Sequence, residues 1–75
     1  MKRQYNYVSP ADVTACKELA KTLIKRYLAK GYPLTTDDAD YIECRVSKFF
    51  DVMYADFRND FQEWIIDTIQ KTYNC

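Results

Sequence analysis

The sequence predicts an all-α fold, a small three-helix bundle, and three observations support that prediction. Apolar residues recur at steps of three and four along most of the chain, which is the period of an amphipathic helix. The chain has one glycine and two prolines, and they stand near the ends of the periodic segments. Its 75 residues are 48% hydrophobic and 16% aromatic, enough for one compact core. We expect a single helical domain over residues 9–75, preceded by a flexible or extended arm over residues 1–8.

The first helix is predicted over residues 10–30. Ser9 is a good N-cap, Pro10 suits the first helical position, and Asp12 stands where the acid of a capping box is expected. Gly31 can adopt the left-handed conformation that ends a helix, and Pro33 cannot continue one. One wide apolar face follows from the spacing of Val13, Cys16, Leu19, Ala20, Leu23, Ile24, Tyr27 and Leu28.

Residues 35–44, TTDDADYIEC, contain four carboxylates and a thiol, and they pose the question of a metal site. A calcium loop of the EF-hand type needs a glycine at its centre, which this segment lacks. A thiolate site needs a second cysteine or a histidine nearby, and the chain has no histidine. Thr35 and Asp38 match a capping box, and acids in a first turn are stabilised by the helix dipole. We interpret the segment as a helix start, with a carboxylate-only magnesium site as the alternative.

The rest of the chain is predicted to form two helices, over residues 36–57 and 60–73. Asn59 and Gln62 have the spacing of an N-terminal capping pair, which favours a break at residues 58–60. No glycine or proline enforces that break. The alternative is one long bent helix after residue 36, whose surplus apolar face is buried by a second chain in a dimeric bundle. The apolar positions are Ile42, Val46, Phe49, Phe50, Met53, Tyr54, Phe57, Phe61, Trp64, Ile65 and Ile69.

The composition argues against an enzyme and against a bound cofactor. Without histidine there is no Ser–His or Cys–His nucleophile pair, and one glycine cannot build a phosphate-binding loop. We therefore expect no catalytic, cofactor-binding or metal-binding residues. Three cysteines without a CxxC pair are typical of reduced thiols in a cytoplasmic protein. No apolar run approaches the ~20 residues that span a membrane, so we expect no membrane association.

Charge is distributed unevenly, although the chain is neutral overall. Residues 1–34 carry seven Lys or Arg and two Asp or Glu, a net +5, whereas residues 35–75 carry four and nine, a net −5. Neutralisation between the packed halves is one interpretation. The other is that each face binds a charged partner. The acidic row comprises Asp56, Asp60, Glu63 and Asp67; the basic set comprises Lys2, Arg3, Lys17, Lys21, Lys25 and Arg26.

The aromatic residues are the best indication of function. Most of them are expected in the core, but a bundle of this size cannot bury Tyr32, Tyr41, Tyr54 and Tyr73 together, and exposed aromatics favour protein interfaces. The predicted function is a protein–protein interaction module, a small regulator or inhibitor that occupies a partner's basic surface through the acidic row, Tyr54 and Trp64. A phage or mobile-element origin would suit so short a chain. The alternatives are nucleic-acid binding through residues 10–30 and the arm, and a self-associating homodimer.

Overall fold

Three α-helices make up the fold in the computed structural model, which confirms the predicted all-α three-helix bundle. They are α1 (Pro10–Ala29), α2 (Thr36–Phe50) and α3 (Ala55–Asn74). None of the helices in the described part of the chain is both long and apolar enough to cross a membrane. The structure describes residues 5, 7–31 and 34–74, and the side chains of these residues except 36, 73 and 74.

The predicted caps of α1 and the acid of the α2 capping box are confirmed. Ser9 Oγ accepts a hydrogen bond of 3.1 Å from the Asp12 N–H, which satisfies one unpaired donor of the first turn. Gly31 has φ 74°, the left-handed conformation that ends α1. At the start of α2, the Thr35 N–H donates to Asp38 Oδ2 at 2.8 Å. The opening acids of this segment therefore act as a helix start.

The predicted break at residues 58–60 is in the wrong place. Helix α2 already ends at Phe50, because Asp51 adopts the left-handed conformation with φ 57°. The Val52 N–H then donates to the Ser47 carbonyl at 2.9 Å, so one of the last carbonyls of α2 is satisfied. Asp and Asn are the residues other than glycine that tolerate this conformation best. An aspartate thus ends the helix without glycine or proline.

Helix α3 begins at Ala55, five residues earlier than predicted. Asn59 and Gln62, the proposed capping pair, lie inside α3 and cap nothing. One uninterrupted helix over residues 36–73 is excluded by the turn at residues 51–54. The chain therefore doubles back after α2, so that α3 covers the apolar face of α2 within the same molecule.

Helix α2 is the central element, and it packs against both α1 and α3. Small and branched side chains of α2 meet two phenylalanines of α3, Phe57 and Phe61, whose rings stack with centroids 5.6 Å apart. A core of this composition is close to the dense packing that a small domain requires. The buried core residues on the helices are Cys16, Ala20, Leu23, Ile24, Ala39, Ile42, Val46, Phe57, Phe61, Ile65 and Ile69.

The described residues before α1 contact the start of α3. Val8 is buried in the core, and Tyr5 makes an isolated β-bridge with it. The Tyr5 ring meets the Phe57 ring edge to face, with centroids 5.2 Å apart, and its hydroxyl donates to Asp60. These contacts leave Tyr7 at the outer side of the turn.

Candidate functional site

Four large side chains remain exposed where α2 connects to α3, and we call this group the aromatic corner. Its members are Tyr7 (70% exposed), Phe49 (73%), Met53 (48%) and Tyr54 (44%). Isolated exposed apolar residues are ordinary, but a group of this size on a monomer often marks an interaction site. The aromatic corner is the largest departure from a buried-apolar pattern in the described residues.

Ring contacts and a buried anchor fix the aromatic corner. Tyr7 stacks on Tyr54, with ring centroids 4.9 Å apart and an angle of 21° between the planes. Phe49 meets Phe50 edge to face at 5.0 Å, and Phe50 itself packs on the core. Between these pairs, Val52 is buried and holds the connection against the core. The exposed rings are therefore held in place before any partner binds.

The sequence predicted only part of this surface. It indicated that Tyr32, Tyr41, Tyr54 and Tyr73 could not all be buried, and Tyr41 and Tyr54 are exposed. It listed Phe49 among the apolar positions that would share one helix face, which is wrong: Phe50 packs on the core, whereas Phe49 is 73% exposed. Tyr7 and Met53 were missed, because nothing in the periodic pattern marks them as part of a surface.

Behind the aromatic corner lies an ion pair, the polar clamp, formed by Glu43 of α2 and Arg58 of α3. Arg58 Nε donates to Glu43 Oε1 at 2.6 Å, and Nη2 donates to Oε2 at 3.1 Å. The Glu43 side chain is 3% exposed and that of Arg58 is 29% exposed. Ser47 Oγ adds a third donor to Glu43 Oε1, at 3.3 Å. The hydrogen bonds that Arg58 donates to Glu43 raise the pKa of Arg58.

The acidic row does lie on one helix, since α3 is continuous through all four of its members. At least three of its carboxylates have partners within the molecule: Asp56 Oδ1 accepts from the Phe57 N–H at 3.0 Å. Asp60 accepts from the Tyr5 hydroxyl, and Asp67 pairs with Lys71 at 3.1 Å. Asp56 lies next to Tyr54, and Glu63 is exposed. Members of the acidic row therefore hold the N-terminal segment through Tyr5 and stabilise α3 through Lys71. The row begins next to the aromatic corner and continues along α3.

Trp64 lies in the seam between α1 and α3, not in the aromatic corner. About 15 Å of helix separates it from Tyr54. Its ring stacks on Phe61 with centroids 6.0 Å apart, and the Lys17 and Lys21 ammonium groups lie 5.4 Å and 6.0 Å from the ring centroid. Cation–π contacts of this kind stabilise by roughly 0.5–1 kcal/mol at an exposed site.

Part of the basic set is thus used within the molecule. Lys17 and Lys21 cover Trp64, and Lys21 also lies 3.8 Å from Glu18. Lys25 and Arg26 are exposed on α1. Lys2 and Arg3 lie outside the described residues, as do Tyr32 and the Tyr73 side chain.

A shallow groove follows the seam between α1 and α3, with a volume of about 270 Å³. Ile24 and Leu28 provide its apolar floor. We call it the α1–α3 groove, and its lining residues are Lys21, Ile24, Lys25, Leu28, Thr68 and Thr72.

The thiols and carboxylates form no metal centre in the part of the chain that the structure describes. There, no three Cys, Asp or Glu side chains converge on a common point. Cys16 is buried, and desolvation, with a smaller contribution from Asp12, raises the pKa of its thiol to about 11. Cys44 is half-buried, and Cys75 lies outside the described residues. A thiol as weakly acidic as Cys16 is a poor nucleophile at neutral pH.

Comparison of the chain with protein-family models, with curated proteins and with solved structures gives no match.

Proposed function

We propose that this chain is a protein-binding module, a small regulator or inhibitor that occupies a surface of another protein through the aromatic corner. The observation that carries the proposal is the exposure of Tyr7, Phe49, Met53 and Tyr54 at one end of a molecule whose core is otherwise well filled. Tyrosine and phenylalanine supply large contact areas at low entropic cost, which is why they anchor protein interfaces.

The area of the aromatic corner favours a different protein, rather than a second copy of this chain, as the partner. Large side chains bury ~200 Å² each, so the exposed fractions amount to about 470 Å² of mainly apolar surface. That is typical of a functional patch on a monomer. It falls short of the ~800 Å² that each partner contributes to a standard interface. Self-association through the corner alone would therefore be weak, whereas a partner that also reaches the acidic row would bury enough.

The charge around the corner indicates the chemistry of that partner. Asp51 is exposed in the connection, and Asp56, in the first turn of α3, begins the acidic row. An apolar anchor beside carboxylates is complementary to an apolar depression bordered by Lys or Arg. Reduced thiols suit a cytoplasmic setting, which is part of the proposal.

The packing of the aromatic corner favours a role as a preformed binding surface. The stacked pair of Tyr7 and Tyr54 is fixed by Val8 and Val52, which are both buried. A surface that is ordered before binding loses less side-chain entropy on binding, where each immobilised side chain costs about 0.5–1.5 kcal/mol.

The test compares binding by matched surface variants. The immobilised chain is used to retain cytoplasmic proteins, and each retained protein is then purified and titrated against the wild-type chain, Phe49→Ser and Tyr54→Ser. We expect each substitution to weaken binding by about 30-fold, the effect of losing an interface anchor of ~2 kcal/mol. Tyr41→Ser is the control, because the exposure of Tyr41 (54%) lies between those of Phe49 and Tyr54, but Tyr41 is in the first half of α2. Equal binding by all variants would refute the proposal.

Oligomeric state tests the same proposal independently. Light scattering under reducing conditions, over a tenfold dilution, should give the mass of one chain, 8.9 kDa. A stable dimer that Phe49→Ser dissociates would assign the aromatic corner to self-association instead.

A further inference from the structure

We propose that the α1–α3 groove binds a single-chain anionic amphiphile, namely a medium-chain fatty acid carboxylate. This inference is independent of the aromatic corner, which lies at the α2–α3 connection. It rests on the lining chemistry, the charge and the size of the groove.

The threonine hydroxyl groups of the lining are already engaged within α3. Thr68 Oγ1 donates to the Trp64 carbonyl at 2.8 Å, and Thr72 Oγ1 donates to the Thr68 carbonyl at 2.9 Å. Both hydroxyl protons are therefore used within α3. Sugars and nucleobases need several directed donors and acceptors, whereas the donors that this lining retains are the two lysine ammonium groups at its border.

The floor of the groove favours an alkyl chain. Ile24 is almost fully buried, and Leu28 packs partly buried against the same core. They lie one helical turn apart on α1. Ile24 is already shielded from water, so an alkyl chain in the groove would remove apolar surface from water mainly at Leu28 and along its own length.

The two lysines at the border of the groove favour a ligand with a negative charge at one end of its alkyl chain. Lys21 and Lys25 stand one turn apart on α1. Lys21 is already near Glu18 and the Trp64 ring, whereas Lys25 forms no ion pair with any described residue. A ligand carboxylate could therefore pair with the Lys25 ammonium group without breaking an ion pair between described residues.

The size of the groove limits the ligand to one alkyl chain. Its volume of about 270 Å³ lies just below the range of ~300–1,000 Å³ that holds drug-sized molecules. From Lys21 to Leu28 the α1 side is about 10 Å long. A single alkyl chain fits these dimensions, and a sterol or a two-chain lipid does not.

The test is a titration of the full-length ¹⁵N-labelled chain with octanoate, followed by backbone amide chemical shifts. We expect saturable shifts at Ile24, Leu28, Thr68 and Thr72. Each buried CH₂ contributes up to about fourfold in affinity, so hexanoate should bind up to ~15-fold more weakly. Octanol, which has the same chain without the charge, should bind about two- to fivefold more weakly.

Charge reversal on the groove supplies the matched control. Lys25→Glu should weaken octanoate binding at least as much as the change to octanol does, because it replaces attraction with repulsion. Lys48→Glu makes the same change on the exposed side of α2 and should leave binding unaltered. Both sites are exposed, so both variants should keep wild-type helicity by circular dichroism. The inference is overturned by unsaturable or dispersed shifts, by equal affinities for octanoate and octanol, or by equal losses in the two variants.

Discussion

Removal of Arg58 from the polar clamp should be among the most destabilising single changes in this chain. The Glu43 side chain is 3% exposed in the wild-type chain, and in Arg58→Met it loses both of the hydrogen bonds that Arg58 supplies, of 2.6 Å and 3.1 Å. Leaving one charge of a buried pair alone costs about 3–5 kcal/mol. Arg58 itself is 29% exposed, so water partly screens the pair and the lower end, about 3 kcal/mol, applies.

Urea denaturation at pH 7, followed by circular dichroism, measures this loss. With a slope of ~1 kcal/mol per molar urea for a small domain, the midpoint should fall by about 3 M. A midpoint shift below about 1 M at pH 7 would contradict the argument.

The double variant Glu43→Leu/Arg58→Met separates charge from packing. Replacing both partners with apolar side chains leaves no buried charge, so its stability should lie within about 1 kcal/mol of the wild type. If the double variant were as unstable as Arg58→Met, the loss would come from packing around Arg58, and the electrostatic account would be wrong.

Three further predictions concern the turn, the first helix and the thiols. Asp51→Gly should stabilise the chain by about 0.5–1 kcal/mol in thermal melts, because glycine adopts a positive φ without strain; Asp51→Ala should not stabilise it. Ser9→Ala should lower the free energy of unfolding by about 1 kcal/mol, through loss of the N-cap hydrogen bond. In a Cys75→Ser background at pH 8, iodoacetamide should modify Cys44 well before Cys16, since burial raises the pKa of Cys16 to about 11 and leaves roughly one thiol in a thousand ionised. Equal rates by mass spectrometry would contradict the burial of Cys16.

Local capping chemistry explains why the ends of α1 were predictable from the sequence. Ser9 and Gly31 act through backbone groups within a few residues of themselves, so their effect can be inferred without the fold. The turn after Phe50 was not predictable in this way. The apolar steps of three and four continue through residues 50–57, and they are compatible with either a helix or a turn.

The components of the candidate site were less predictable, because they depend on distant contacts. Glu43 and Arg58 are 15 positions apart and pair only because α3 doubles back on α2. Charged residues in a helix are usually solvated, so neither residue stood out in the sequence. Tyr7 likewise acquires a role only through its stacking on Tyr54.

The polar clamp and the aromatic corner are connected through the first turn of α3. The Arg58 N–H donates to the Tyr54 carbonyl at 2.9 Å, while the Arg58 side chain is held by Glu43 of α2. The same residue therefore fixes α3 to α2 and fixes the backbone of Tyr54. An apolar pair at these positions would restore stability but would lack the directional bonds that set the register between the helices.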